Sequence, residues 1–177
     1  MVNQAKKSRN EKWNPFLGNF DQREEFLKVF KSNRKHTRAL ILDLDGTIIR
    51  FYRGKAPHRR PEIRPHFDEF IEAAGKIADL FVFSATHQAR LQNIVQKYFN
   101  GLFSGLFDSR FLSRRRKSSE HLADECPDVL LVDDTQRKVH MWFQKRLVKI
   151  DRWLGDPEDN ELLRVLKEVQ DRWGLTA

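Results

Sequence analysis

The stretch Ala39-Leu-Ile-Leu-Asp-Leu-Asp-Gly-Thr-Ile-Ile49 decides how the rest of the chain is read. A short, wholly apolar run ends abruptly in Asp43 and Asp45, followed by Gly46 and Thr47. Such a run has the character of a strand buried on both faces. Two carboxylates placed where it leaves a sheet are costly unless a metal ion or a phosphoryl group compensates them. The segment therefore marks the start of a phosphoryl-transfer site.

Three further apolar runs of strand length follow, at 80–83, 129–132 and 147–150. None alternates polar with apolar residues. Helical periodicity separates them: Phe67, Phe70, Ile71, Ala74 and Ile77 after Pro65, then Leu91, Ile94, Val95 and Tyr98 after Thr86. A last helix is expected from Asp156 as N-cap and Pro157 at its first position, with Leu162, Val165, Leu166, Val169 and Trp173 as its buried stripe. Asp21-Gln-Arg-Glu24 has the form of a capping box ahead of Phe26, Leu27 and Phe30. Strands alternating with helices predict an α/β sandwich around a parallel sheet. Residues 1–20 read as a basic, flexible arm and residues 21–177 as one catalytic domain.

In such a sheet, ligands bind beyond the carboxyl ends of the strands. The polar residue closing each apolar run is then informative. The second run ends at Ser84, with Thr86 beyond it, and the third at Asp133 and Asp134. Carboxylates converging there would repel one another, and a hard divalent cation with oxygen ligands, usually Mg2+ beside phosphate, resolves the repulsion. One aspartate can then attack phosphorus while a second protonates the leaving oxygen and later activates water. Gly46 permits a tight departure from the sheet that brings backbone amides, with Thr47, toward phosphoryl oxygens. Lys117, expected to open a helix before the third strand, is a candidate cation for the transition state; Arg116 is the alternative within the run Arg114–Lys117. Taken singly, Ser84 also reads as a helix N-cap, although Thr86 suits that role better.

The chain has 177 residues, 40% hydrophobic and 33% charged, with a net charge of +8. That balance describes a soluble domain attracted to anions such as nucleic acid, phosphoproteins or acidic membranes. Its bases concentrate in 50–64, where Arg50, Arg53, Lys55, Arg59, Arg60 and Arg64 face Glu62 alone. With Phe51 and Tyr52 among them, this rim would suit a nucleic-acid strand, an acidic phosphopeptide, or no ligand at all. No segment has the length and apolarity of a membrane span or a secretory signal. The single cysteine, Cys126, reads as structural and fits a reducing, intracellular compartment, cytoplasmic or nuclear.

LDLDGT, Ser84, Lys117 and the Asp133–Asp134 pair resemble, in order, the four motifs of the haloacid dehalogenase superfamily. Within it, Arg64-Pro-His-Phe-Asp-Glu-Phe70 and the spacing from Lys117 to Asp133 are similar to the NLI-interacting-factor-like phosphatases, which act on the RNA polymerase II C-terminal domain. The resemblance implies a Rossmann-like three-layer α/β sandwich with a mostly parallel central sheet. It implies Asp43 as nucleophile and Mg2+ ligand, and Asp45 as acid/base with its carbonyl on the metal. Ser84 and Lys117 would hold the phosphoryl group. Asp134 would be the main ligand of the last pair, with Asp133 as ligand or support. Gly46 stands where those phosphatases usually carry glutamate, and Asp134 where they usually carry asparagine. The run DDTQRKVHMW is also somewhat similar to the phosphatase half of phage polynucleotide kinase. The implied substrate is a phosphoserine or phosphothreonine protein, with a nucleic-acid 3′-phosphate as the alternative and a non-catalytic binding module as a third reading. Short segments after the first and second motifs leave no room for a large cap domain, so the site is expected to be open.

Overall fold

The computed structural model describes residues 20–32, 34–50, 60–113, 116–117, 126–139 and 141–175. Five strands form one parallel sheet: β1 (Ala39–Leu42), β4 (Asp79–Phe83), β5 (Gly105–Phe107), β8 (Val129–Asp133) and β9 (Leu147–Lys149), in the order β5-β4-β1-β8-β9. Two short antiparallel pairs lie outside it, β2 (Ile49–Arg50) with β3 (Glu62–Ile63) and β6 (Leu112–Ser113) with β7 (Arg116–Lys117). The helices are α1 (Phe20–Ser32), α2 (Phe67–Gly75), α3 (Gln88–Tyr98) and α4 (Glu161–Arg172).

The apolar runs are buried on both faces because successive side chains feed different layers. Leu40, Leu42, Val82 and Val132 join the core formed with Phe70, Leu91, Leu162 and Val165 of the helices on one side. Ala39, Ile41, Phe81 and Leu131 join the opposite core with Phe26 and Phe30 of α1. That second core is dense in phenylalanine: Phe26 stacks on Phe107 at 3.9 Å and Phe30 on Phe81 at 5.0 Å. Burial of each such ring contributes about 1.5–3 kcal/mol. The result is the three-layer sandwich expected from the sequence. Cys126 is buried and its thiol donates to the Thr37 carbonyl at 3.2 Å; burial pushes its pKa up, which fits a structural thiol.

Several local expectations need correction. The span from Ser84 to Lys117 contains, besides α3, β5 at the sheet edge and the β6–β7 pair, beyond the four apolar runs read as strands. Strand β5 has only three residues and begins with Gly105. A Cβ there would lie 2.9 Å from Val29 Cγ1 and 3.0 Å from Phe81 Cδ1, so glycine lets α1 pack against the edge. Helix α1 already includes Asp21, which is therefore not its cap. Helix α3 starts after His87 rather than at Thr86. Helix α4 starts after Asn160, because Asp156 and Asp159 are engaged elsewhere: the Glu158 amide donates to the Asp156 carboxylate at 2.9 Å and Trp153 Nε1 to the Asp156 carbonyl at 2.9 Å. The expected arm lies outside the described residues except for Phe20, which opens α1. Among the described residues no helix is long and apolar enough to cross a membrane.

Strand β1 is central, and the chain builds outward from it to β4 and β5 on one side and to β8 and β9 on the other. The crevice at the carboxyl end of β1 is thus the topological switch point, where open α/β sheets bind ligands. Between β1 and α2 the described residues hold only the β2–β3 pair and its flanking turns, with no large cap domain.

Candidate active site

Register brings the polar residues together. Leu42 pairs with both Val82 and Val132, so Asp43 leaves the sheet level with Phe83 and Asp133, one residue before Ser84 and Asp134. The Asp43 amide donates to the Val132 carbonyl at 2.8 Å, which fixes the first position beyond β1. Leu44 is fully buried, and its carbonyl accepts from the Ile48 and Ile49 amides, both at 3.0 Å. Asp43 and Asp45 flank Leu44 at the start of this turn. Asp43 is only 7% exposed, whereas the Asp45 side chain is 40% exposed and opens to solvent.

Carboxylate oxygens of Asp43, Asp133 and Asp134 all lie within 4.8 Å of one another. Asp133 is buried and accepts the Thr135 amide at 2.7 Å; Asp134 accepts the Thr135 hydroxyl at 2.7 Å. The donor set is all oxygen and carries several negative charges in a partly desolvated place. That is the chemistry of a hard divalent cation such as Mg2+, and the residues fit one.

Thr47 is fully buried and its hydroxyl donates to Asp43 Oδ2 at 3.3 Å, so it orients that carboxylate from behind. Gly46 adopts φ +91°, a region costly for other residues. A Cβ there would lie 2.7 Å from Asp134 Oδ2 and 3.1 Å from Arg152 Cγ. Glycine is therefore required both for the turn and for the approach of Asp134. The Gly46 carbonyl accepts from the Trp153 amide at 2.8 Å, tying the turn to the segment after β9. Ser84 is buried at the end of β4 and its hydroxyl accepts the Thr86 amide at 3.3 Å; it precedes α3 by several residues and does not cap it.

Lys117 is not brought into this cluster by anything described. Its backbone lies on β7, paired with Leu112, and not at the start of a helix; its side chain lies outside the described residues.

The described bases of the 50–64 segment are engaged within the chain. Arg64 is buried: Nε and Nη2 donate to the Asp159 carboxylate at 2.7 and 2.8 Å, Nη1 to the Thr47 carbonyl at 3.1 Å, and Nη2 to the Asp151 carbonyl at 2.9 Å. It holds the turn after β1, through the Thr47 carbonyl, to the C-terminal segment. Arg50 is engaged by Glu62 and the Leu154 carbonyl and lies over the Trp153 ring at 5.5 Å. Arg60 lies over Tyr98 at 5.8 Å. Arg53, Lys55, Arg59, Phe51 and Tyr52 fall outside the described residues. Burial alone would raise the Asp159 carboxyl, but the Arg64 hydrogen bonds, the Glu161 amide and the Arg64 charge outweigh it and hold the group below the usual carboxylate range.

Two arginines at the mouth escaped the sequence reading. Arg90 Nη2 lies 3.7 Å from Asp45 Oδ1, and Arg152 Nε lies 3.7 Å from Asp134 Oδ2. The only signal was their position just beyond the carboxyl ends of β4 and β9.

The architecture has solved counterparts. Fcp1, described as an essential RNA polymerase II CTD phosphatase, superposes with a TM-score of 0.59 at 15% identity, covering 84% of this chain and 65% of that one. Fission yeast Fcp1 bound to beryllium fluoride gives 0.52 at 17% identity, covering 86% and 54%. In sequence, Phosphatase PSR1 of Saccharomyces cerevisiae is 23% identical over 165 residues, which is 77% of this chain and 36% of that protein. The chain thus spans about a third of the length of that curated relative. The family model for NLI interacting factor-like phosphatase matches residues 38–173, from just before β1 to just past α4, and the chain belongs to that family.

Proposed function

We propose that residues 21–177 form a Mg2+-dependent phosphatase domain that hydrolyses phosphomonoesters through an aspartyl-phosphate on Asp43. The observation that carries this reading is the convergence of Asp43, Asp133 and Asp134 within 4.8 Å, with Asp45 on the same turn. Asp43, Asp133, Asp134 and the Asp45 carbonyl would hold the cation, which supplies charge neutralisation at the phosphoryl oxygens. An Asp43 oxygen attacks phosphorus as the bond to the leaving oxygen breaks, and the Asp45 carboxyl gives that oxygen its proton. Asp45, now a carboxylate, takes a proton from water as the water oxygen attacks phosphorus. The bond from phosphorus to Asp43 breaks, and inorganic phosphate leaves. The solvent-open Asp45 suits both proton transfers, and the hydroxyl of Thr47 keeps Asp43 aimed. Ser84, the Gly46 turn and Lys117 are assigned to the phosphoryl oxygens.

The substrate is a phosphoserine or phosphothreonine protein. Support comes from the open site and from the relatives named above as CTD phosphatases. Hydrolysis of an aryl phosphate tests the reaction class. Asp43→Asn is expected to lower kcat at least about 1,000-fold, and Asp45→Asn about 100- to 10,000-fold. Chelation should abolish turnover and Mg2+ restore it. A folded protein inert toward a broad phosphoester panel, or undiminished turnover in Asp43→Asn, overturns the reading. A phosphopeptide set against a 3′-phosphorylated oligonucleotide tests the substrate class.

A further inference from the structure

We propose that the cavity where α1, α3 and β5 meet is a docking pocket for one basic side chain, lysine or arginine, of a phosphoprotein substrate. This rests on the reading of the chain as a phosphatase of phosphoproteins. The cavity measures about 240 Å³. Pockets that enclose a whole small molecule start at about 300 Å³, so this one suits a single side chain. Val29 of α1, Leu91 of α3, Leu106 of β5 and Phe111 beyond it give the cavity apolar walls. Such walls match the methylene stem of a long basic residue, which buries its stem and keeps its charged head at the mouth.

The charge at the mouth selects the head group. Glu25, Asp108 and Arg110 line the cavity, and Gln88 and Gln92 add no charge. Two carboxylates against one guanidinium leave a formal charge of −1. The guanidinium is shared unequally. Asp108 is buried and accepts the Arg110 amide at 2.9 Å and Arg110 Nη2 at 3.0 Å. Glu25, with 49% of its side chain exposed, meets Arg110 through Nη1 at 3.4 Å. Glu25 is therefore the carboxylate left under-neutralised, and a second cation completes the set. The chain as a whole carries +8 and attracts anions, so a negative cavity discriminates among substrates instead of adding to that attraction. It also disfavours a phosphodiester strand, which needs cations along its path.

The cavity lies within reach of the phosphoryl site. The Ser84 amide donates to the Phe107 carbonyl at 2.9 Å, and the Ser109 amide to the Thr86 carbonyl at 2.9 Å. These bonds join the loops after β4 and β5, and Asp108 stands at the carboxyl end of β5, two strands from β1. Strands about 4.8 Å apart put that end about 10 Å from Asp43. A peptide advancing about 3.3–3.6 Å per residue covers the span in about three residues, or about five if it passes around the start of α3.

The test uses the full chain with Mg2+ and phosphoserine peptides in which one lysine, or a glutamine in its place, is moved stepwise along either flank. A 3′-phosphorylated oligonucleotide is run beside them, and an aryl phosphate too small to reach the pocket reports the chemical step. kcat/KM is measured for wild type, Glu25→Gln and Gln92→Arg, and Kd by fluorescence anisotropy with the metal chelated. Wild type should prefer one lysine placement over its glutamine counterpart by about threefold to tenfold. The preference should fade as salt rises. It should vanish in Glu25→Gln, which neutralises the pocket, and in Gln92→Arg, which supplies the cation from within, while both variants turn over the aryl phosphate as wild type does. No preferred placement in wild type, or a preference kept in Glu25→Gln, overturns the proposal. Preference for the oligonucleotide over every peptide overturns the peptide assignment. Turnover without lysine discrimination sinks the pocket and leaves the hydrolase reading intact. Glu25-dependent discrimination in Kd, without turnover of any phosphoester, does the reverse.

Discussion

Gly46→Ala separates the two jobs assigned to that glycine. At φ +91° an alanine meets a backbone penalty of about 1–2 kcal/mol. For a domain of this length that corresponds to a fall in Tm of about 2–8 °C. The second effect is local. The new Cβ would sit 2.7 Å from Asp134 Oδ2, well inside contact distance, and the obstacle is the end of a flexible side chain. Asp134 can swing away at little cost to folding, but it then leaves the group of three carboxylates. Disturbing even the supports of a metal ligand typically weakens binding about 10- to 100-fold, and moving the ligand itself should cost at least as much. Calorimetric titration with Mg2+ and thermal melts read the two effects independently. The decisive comparison is with Asp134→Asn and the double variant. If Gly46→Ala acts on the metal through Asp134, it adds nothing to Asp134→Asn in metal affinity while keeping its own loss in Tm. Additive losses in affinity, or wild-type affinity in Gly46→Ala, would refute the reasoning.

Arg64→Met removes the guanidinium that donates to the Asp159 carboxylate and to the Thr47 and Asp151 carbonyls, and should cost about 3–5 kcal/mol in urea unfolding; a loss below about 1 kcal/mol would show the bracket to be incidental. Because Arg64 holds the Asp159 carboxyl below its unfolded value, the stabilisation is present above about pH 4 and is lost as pH falls through the lower folded value. Asp159→Asn should therefore be less stable than wild type at neutral pH and converge with it in acid, as followed by melts from pH 7 to pH 2. Arg152→Gln removes a cation 3.7 Å from Asp134 and should tighten Mg2+ binding by about twofold to fivefold; weaker binding would mean that the arginine supports the site instead of competing for it.

Strand β1 and its aspartates were legible because a fully apolar run that stops at two carboxylates is costly until a cation or a phosphoryl group relieves it. The same holds for β8 and the Asp133–Asp134 pair. Strand β5 was not legible: three residues headed by a glycine carry no periodicity, and their place at the edge depends on Val29 and Phe81, far off in sequence. The start of α4 was misread because Asp156-Pro157 has the local form of a helix cap, whereas Asp156 is held by Trp153 just before it and Asp159 by Arg64, far off in sequence. Arg64 itself looked like one base among many. Nothing local shows that its guanidinium is buried against a carboxylate 95 positions away. Arg90 was hidden for the opposite reason, since an exposed arginine in a helix has no distinctive context until Asp45 is placed beside it.

The Arg64 bracket has a consequence for the growing chain. The Asp151 carbonyl and the Asp159 carboxylate that seat Arg64 are synthesised long after the two aspartates of the first motif. Until those residues arrive, the guanidinium that steadies the Thr47 carbonyl has no anchor at its other end. A nascent or truncated chain therefore carries Asp43 and Asp45 without the clasp that holds their turn, and the geometry of that turn is completed only once the C-terminal segment has been made. Arg64 thereby makes the order of the first motif's turn depend on the last part of the fold to be joined.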